Sequence, residues 1–267
     1  MLTLYACSAS MVAVSAPPSQ FSALASPGGF AVVPNFLSAA DVKLLKSDVA
    51  SLKSEGRFSV AGVGDASTKR ISDDVRRCEQ CFLFPKLKHG AGGDQAGRQK
   101  LYSVLDSLQS SLQQATGQQL DGLLTEGLYA AYPSGGYYRR HIDSYPGTPQ
   151  EIRQFSYLIY CNEDWQPSDG GCLRIHTDGG GEVAPAGAEP SFVDVEPRAG
   201  TLVVFRSDVP HEVLDTSAPR LAVAGWFNAP PEGSSARRSL IAALGGALVV
   251  GGAVKTGLAL LGGSGDQ

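Results

Sequence analysis

The chain contains four histidines, His89, His141, His176 and His211, few enough that each can be weighed as a metal ligand. The segment YYRRHIDSYPG places His141 and Asp143 two residues apart. On a strand, residues two apart share a face, so an imidazole and a carboxylate project together. A second imidazole from a neighbouring strand would complete a face of two histidines and one carboxylate. Half of an octahedron then stays open, the geometry suited to Fe(II) and O2 chemistry. His211, in SDVPHEVLD, directly follows a turn and begins a later strand, which makes it the natural third ligand. A competing pair, His176 and Asp178 in RIHTDG, has the same spacing beside a run of glycines. An acidic turn at a strand edge explains that pair too, and spacing alone gives the first set only a modest preference.

Arg220 follows His211 by nine residues, across a turn and into the next strand. There its guanidinium can face the interior beside the metal. A guanidinium buried in a barrel needs an anion, and a dicarboxylate cosubstrate meets it with a bidentate fork. A structural ion pair with Asp215 or Glu196 is the competing explanation. Tyr132 and Tyr160 occupy strand positions from which their hydroxyls reach the same ligand, or else they are core aromatics.

The elements that must position these residues are readable from periodicity. Phe30 to Val33 reads as a strand. A helix follows, capped by Ser38, with Asp41 in its first turn and a stripe of Val42, Leu44, Leu45, Val49 and Leu52. Leu101, Val104, Leu105, Leu108 and Leu112 mark a second amphipathic helix between Gln95 and Gln119. Between the helices, KSEGRFSVAGVGDASTKRISDDVRR is polar and Gly-rich, a surface loop of the kind that can cover a site. After Leu120 come eight short segments bounded by turn residues: LLTEGLYAAYP, YYRRHID, RQFSYLIYCN, GCLRIHT, SFVDVEP, GTLVVFRS, HEVLDT and RLAVAGWFN. Helices followed by a run of strands fit an antiparallel jelly roll with helices packed outside one sheet, a mainly β fold. The glycine clusters at Ser134–Gly136 and Gly179–Gly181 lack the strand-to-helix setting of a phosphate loop.

Composition agrees with one globular body: 43% of the 267 residues are hydrophobic and 18% charged. A formal charge of -4 gives no electrostatic reason to expect a nucleic-acid partner. Five cysteines, an odd number, favour reduced thiols and an intracellular compartment, cytoplasmic or organellar. Cys78 and Cys81 form a lone C-x-x-C that lacks two further zinc ligands and reads either as a redox-sensitive pair or as incidental thiols.

The ends read differently from the body. Residues 1–28 are Ala- and Ser-rich without a charged side chain, as in a flexible arm or a targeting segment. The catalytic domain is expected over 29–229. Beyond Pro230 and Pro231, Leu240 to Leu261 is almost wholly small or aliphatic and interrupted by Lys255, which makes 230–267 a linker and a candidate membrane anchor.

On the stretches YAAYPSGGYYRRHID, YLIYCNEDWQPSDGGCLRIH, FVDVEPRAGTLVVFRSDVPHEV and PRLAVAGWF, the sequence resembles the prolyl hydroxylase branch of the 2-oxoglutarate and Fe(II) dioxygenases, nearest to the hypoxia-factor (egg-laying-defective-nine) type. The resemblance runs from about Phe30 to Asn228 and implies a double-stranded β-helix. It implies iron ligation by His141, Asp143 and His211, with Arg220 and Tyr160 on the distal carboxylate of 2-oxoglutarate. Tyr132 and Leu173 would line the cosubstrate site, Arg153 would lie on the substrate side, and Trp226 would form a pocket wall. His176 receives no ligand role. The cofactors so implied are Fe(II), 2-oxoglutarate and O2, with ascorbate as reductant, and the substrate is a proline-containing protein or peptide. Two departures bear on the substrate: Ala224 stands where relatives have threonine, and DDVRRCEQC replaces an Arg-Gly-Asp turn followed by an apolar strand. Hydroxylation of another residue or a small metabolite, and a noncatalytic metal-binding interaction module, are the alternative readings.

Overall fold

A computed structural model of the protein describes residues 16–63, 70–84, 92–122, 126–178, 187, 189 and 191–231. The chain divides into two units, Met1–Ala229 and Pro230–Gln267. The apolar stretch Leu240 to Leu261 and His89 lie outside the described residues, as do residues 1–15. Among the described residues, no helix is long and apolar enough to cross a membrane.

Two antiparallel sheets form the body. Its strands are β1 (Phe30–Val33), β2 (Ser59–Val60), β3 (Arg76–Arg77), β4 (Glu79–Phe84), β5 (Glu126–Tyr132), β6 (Gly136–His141), β7 (Arg153–Tyr160), β8 (Leu173–His176), β9 (Phe192–Val195), β10 (Leu202–Arg206), β11 (His211–Thr216) and β12 (Arg220–Asn228). The larger sheet runs β1-β10-β7-β12-β5-β4-β2 and the smaller β3-β6-β11-β8-β9. This is the jelly-roll architecture expected from the strand pattern, and each of the eight segments read after Leu120 is a strand. The polar segment expected as a surface loop able to cover a site contributes β2, β3 and a Val63–Arg70 bridge. β4 was hidden because CEQCFLF mixes polar and apolar residues on both faces.

Period-two alternation sorts the large sheet into two cores. Along β7, Phe155, Tyr157 and Ile159 pack with the helices, whereas Leu158 and Tyr160 join the apolar cluster between the sheets. Along β12, Val223 and Phe227 face the helices, and Ala222, Ala224 and Trp226 face the interior. Cys81 and Cys78 belong to these different clusters, as residues three apart on extended chain must, and both are free thiols. That separation removes the redox-pair reading.

Two helices close the outer face. In α1 (Ala39–Ser54) the Ser38 hydroxyl accepts the Asp41 amide hydrogen at 3.1 Å, capping the first turn. α2 (Gln95–Thr116) starts at Asp94 and ends at Gly117 in a left-handed conformation, φ 70°. The helices touch at Gly97, where a Cβ would meet the Leu44 carbonyl oxygen at 2.5 Å. The buried stripe of α1 is Val42, Leu45, Asp48, Val49 and Leu52; Leu44 is instead exposed. Asp48 is fully buried because Arg98 of α2 lies 3.1 Å away and Tyr129 of β5 donates a hydrogen bond to it at 2.9 Å. Burial raises the Asp48 carboxyl above its ordinary value, against the opposing pull of Tyr129 and Arg98.

The expected terminal arm, residues 1–28, runs too far in one respect. Pro18–Ala25 is a 3-10 helix whose Phe21 and Leu24 are fully buried in the helical core. Each contributes about 1.5–3 kcal/mol of burial, enough to tie this part of the N-terminal segment to the domain.

Replacing Arg98 by methionine strands the Asp48 carboxylate in the core, an expected loss of about 3–5 kcal/mol in urea unfolding. Adding Asp48→Asn to Arg98→Met should recover more than half of that loss. A single-variant loss below about 1 kcal/mol would contradict this reading of the triad.

Candidate metal and cosubstrate site

β11 pairs with β6 so that His211 stands directly opposite His141. The register then shifts: Val213 pairs with Tyr138, so two steps on β11 oppose three on β6. This β-bulge at Arg139 and Arg140 brings Tyr138 and His141, three apart, onto one inward face. The Tyr138 ring stacks on the His141 imidazole at 3.6 Å. Asp143 lies just beyond the strand, where its amide and that of Ser144 donate to the Ser207 carbonyl at 2.9 and 3.0 Å. The expected sharing of a face by His141 and Asp143 is thus achieved by a strand end rather than a continuous strand.

The three ligand groups converge, with one donor atom from each lying within 4.8 Å of the others. Asp143 carboxylate oxygens are 3.7 Å from His141 Nε2 and 3.6 Å from His211 Nε2. Each imidazole is oriented by its other nitrogen: His141 Nδ1 lies 2.8 Å from the Arg139 carbonyl oxygen and His211 Nδ1 2.9 Å from that of Val209. A carbonyl only accepts, so both Nδ1 atoms carry the proton, and both Nε2 lone pairs face the shared centre. Ser156 of β7 donates to Asp143 Oδ2 at 2.7 Å and contacts the Ser207 hydroxyl at 3.0 Å, fixing the carboxylate rotamer.

Electrostatics favour the metal-ready protonation states. Burial, aided by the neighbouring His211, lowers the His141 imidazole to about 3. Burial pushes the Asp143 carboxyl up, but His211, His141, Arg153 and the Ser156 hydroxyl outweigh it and hold it at about 2. At neutral pH these two ligands are a neutral imidazole and a carboxylate, the forms that bind a divalent cation without releasing a proton.

Arg220, 2% exposed, opens β12 on the interior face. Its Nε donates to the Gly171 carbonyl at 2.8 Å, while Nη1 and Nη2 are buried without a hydrogen-bond partner. Gly171 has φ 69°, and a Cβ there would meet the Arg220 side chain and Thr216 at 3.0 Å, so glycine makes this seat. Tyr132 and Tyr160 flank the guanidinium, with ring centres 4.9 and 5.1 Å from Cζ. Burial raises both phenols, Tyr160 to about 12, so each is a neutral donor. The alternative ion pairs for Arg220 are committed elsewhere: Asp215 binds Arg139 and Glu196 binds Arg198. The competing metal pair is committed too. Asp178 takes a bidentate pair of bonds from Arg140, and His176 lies between Arg140 and Glu212 at 3.0 and 3.1 Å.

One cavity of about 840 Å³ contains His141, Asp143 and His211 together with Arg220, Tyr132, Leu173, Arg153 and Trp226. Tyr160 stands behind this lining, beside Arg220. Arg153 is held by Glu126 through two bonds of 2.9 Å, lies over Trp226 at 3.8 Å and donates to the Asp143 carbonyl at 3.2 Å. It therefore shapes the wall as half of an ion pair. Ser156, Ser207, Glu126 and the bulge escaped sequence reasoning: serines on strands carry no periodic signal, and a bulge leaves none. The donor set fits iron, and the orphaned guanidinium nitrogens fit a carboxylate.

Residues 127–228 match the family model described as the 2OG-Fe(II) oxygenase superfamily. Among curated proteins, the chain is 29% identical over 206 residues to a hypoxia-inducible factor prolyl hydroxylase of Caenorhabditis elegans; the match covers 74% of this chain and 26% of that relative. The chain thus spans about a quarter of that relative's length. Among solved structures, a Pseudomonas putida prolyl-4-hydroxylase superposes with a TM-score of 0.62 at 29% identity, covering 79% of this chain and 98% of the other. A Trichoplax adhaerens prolyl hydroxylase, solved with a hypoxia-inducible factor peptide fragment, gives 0.64 at 24% identity, with 84% and 91% covered, a likeness of fold.

The lowered His141 value has a measurable consequence in metal-stripped protein. An unfolded histidine titrates near 6.5, so below that pH the unfolded state takes up a proton that folded His141 refuses until about 3. Stability should fall across this window by up to about 1.4 kcal/mol per pH unit. Urea unfolding of the wild type and His141→Gln between pH 7 and 4 checks it: the variant should show the shallower slope, and equal slopes would refute the assignment.

Proposed function

We propose that this chain, a member of the 2OG-Fe(II) oxygenase superfamily through its residues 127–228, hydroxylates proline within a peptide while converting 2-oxoglutarate and O2 to succinate and CO2. The observation that carries the reading is the pairing, in one cavity, of a two-histidine, one-carboxylate centre with a buried guanidinium whose two Nη groups have no partner. The cofactor pair supplies the oxidising power for C–H hydroxylation when bound, with ascorbate as the reductant that keeps iron usable.

The chain's own residues position and insulate. His141 Nε2, His211 Nε2 and an Asp143 oxygen hold Fe(II), and Ser156 keeps the carboxylate turned toward it. Arg220 grips the distal carboxylate of 2-oxoglutarate through Nη1 and Nη2, with the Tyr160 hydroxyl donating to the same group. Tyr132 and the fully buried Leu173 line the cosubstrate. Leu158, Leu173 and Val213 give the chamber an apolar wall that limits water and strengthens the charge contacts at Arg220. Trp226, braced by the Arg153–Glu126 pair, forms the wall on the substrate side. No side-chain acid or base is required, so Asp143 acts as a ligand.

The prolyl assignment is supported by the 29% identity to the Pseudomonas putida prolyl-4-hydroxylase across nearly that enzyme's whole length. The intact ligand set and Arg220 oppose a noncatalytic module. The test is succinate release with Fe(II), 2-oxoglutarate and O2 across a library of proline-containing peptides, with Asp143→Ala as control. Particular peptides should stimulate turnover and gain the mass of one oxygen on proline, and the variant should show neither. Cosubstrate binding without stimulation by any peptide would move the substrate to another residue or a small metabolite, and absence of iron and 2-oxoglutarate binding would sink the oxygenase reading.

A further inference from the structure

Four arginines that are buried or half-buried line the cavity; two are paired with a carboxylate, and a third is answered by the proposed cosubstrate. Arg140 is met by Asp178 and Arg153 by Glu126, and Arg220 answers the cosubstrate. The fourth, Arg76, does not fit this pattern.

Arg76 sits on β3 directly opposite Tyr138 of β6, and alternation turns it inward while its neighbour Arg77 is exposed. Its guanidinium carbon lies 4.5 Å from the Tyr138 ring centre, and that same ring stacks on His141. Its Nε donates to Cys78 Sγ at 3.0 Å. Among the described residues no carboxylate pairs with it; the neighbours are a sulfur and aromatic rings. A cation–π contact and a thiol are weak compensation for a half-buried charge.

Charge accounting at the loaded site sharpens this. Fe(II), the Asp143 carboxylate, dianionic 2-oxoglutarate and Arg220 cancel one another, and Arg140 and Arg153 are cancelled by their own partners. Arg76 leaves an uncompensated positive charge on the cavity wall, one aromatic ring away from an iron ligand. A guanidinium presented in this way is a receptor for a carboxylate.

Resting on the prolyl reading, we propose that Arg76 is a specificity-determining residue that receives a substrate carboxylate, so that the favoured target is a proline with aspartate or glutamate close to it in sequence. The Tyr138 ring lies 4.5 Å from the guanidinium carbon and 3.6 Å from the His141 ring, so the guanidinium is at most about 8 Å from an iron ligand, about two residues of extended chain, which sets the spacing. The stretch DDVRRCEQC, which departs from the turn and apolar strand of the resemblance and carries Arg76 on the short strand β3, is the feature of this chain that creates the preference.

The experiment uses peptide pairs identical except for Asp or Glu against Asn or Gln at each of the two positions on either side of proline. Binding to protein loaded with Mn(II) and 2-oxoglutarate is followed by intrinsic tryptophan fluorescence, alongside kcat/KM with Fe(II). Wild type should prefer the acidic member by about 10- to 100-fold at one position, the range for a charge-assisted contact. Arg76→Gln should erase the preference and leave 2-oxoglutarate affinity unchanged, Arg76→Lys should keep it in part, and Arg76→Glu should favour lysine peptides. Equal binding of both members by wild type, a preference retained in Arg76→Gln, or a loss confined to 2-oxoglutarate affinity would overturn the proposal. If wild type turns over no proline peptide, the prolyl reading fails by itself. Arg76 is then judged by binding of N-acetyl-aspartate α-amide against N-acetyl-asparagine α-amide, which differ only in the side-chain carboxylate; equal affinity overturns it and a preference lost in Arg76→Gln upholds it.

Discussion

A guanidinium buried between two sheets must have an anion, and the seat of Arg220 is built as though one were always to come. Its Nε is used on the Gly171 carbonyl, which fixes the plane of the fork, and the two outer nitrogens are kept from every side-chain carboxylate of the described residues. Asp215 and Glu196, close in sequence, are paired at the surface with Arg139 and Arg198. Leaving a buried charge unpaired costs several kcal/mol, a cost the fold tolerates where binding removes it. The position of this charge relative to the histidines then defines what fits between: a molecule that chelates a metal at one end and carries a carboxylate at the other.

The remaining architecture holds those two ends apart at a fixed distance. β12 carries Arg220 in the large sheet, and β6 and β11 carry the histidines in the small one. Asp143 bridges the sheets, because its ligand geometry depends on Ser156 of β7 and the Ser207 carbonyl that follows β10. Behind the large sheet, Phe155, Tyr157 and Ile159 lock β7 to the helices, and the Asp48–Arg98–Tyr129 triad ties both helices to β5. Helical packing thus reaches the metal centre through a strand whose alternate residues serve two cores.

Much of this was legible in the sequence because it rests on local rules. Alternation and turn residues gave the eight strands after Leu120, capping gave the start of α1, and the interior placement of Arg220 follows from strand parity. The choice of His141 and Asp143 over His176 and Asp178 was not decidable from spacing; it depended on Arg140 and Glu212, which occupy the second pair. What stayed hidden is non-local or breaks a period. The bulge at Arg139 and Arg140 turns His141 inward against simple alternation, Asp48 is a charge on an apolar stripe, and Phe21 and Leu24 are buried by helices distant in sequence. β3 and β4 were masked by their own arginines and cysteines, and the same polarity now marks Arg76 as a residue with a task in the cavity.

The most direct test of the central claim is a titration of 2-oxoglutarate and 2-oxobutyrate, which lacks the distal carboxylate, into Mn(II)-loaded wild type and Arg220→Gln. If the orphaned guanidinium is the anchor, wild type binds 2-oxoglutarate at least about 30-fold more tightly than 2-oxobutyrate, and the variant binds the two nearly alike. A variant that keeps the full preference for 2-oxoglutarate would mean that Arg220 is not the partner of the distal carboxylate, and the account of the site would fail at its foundation.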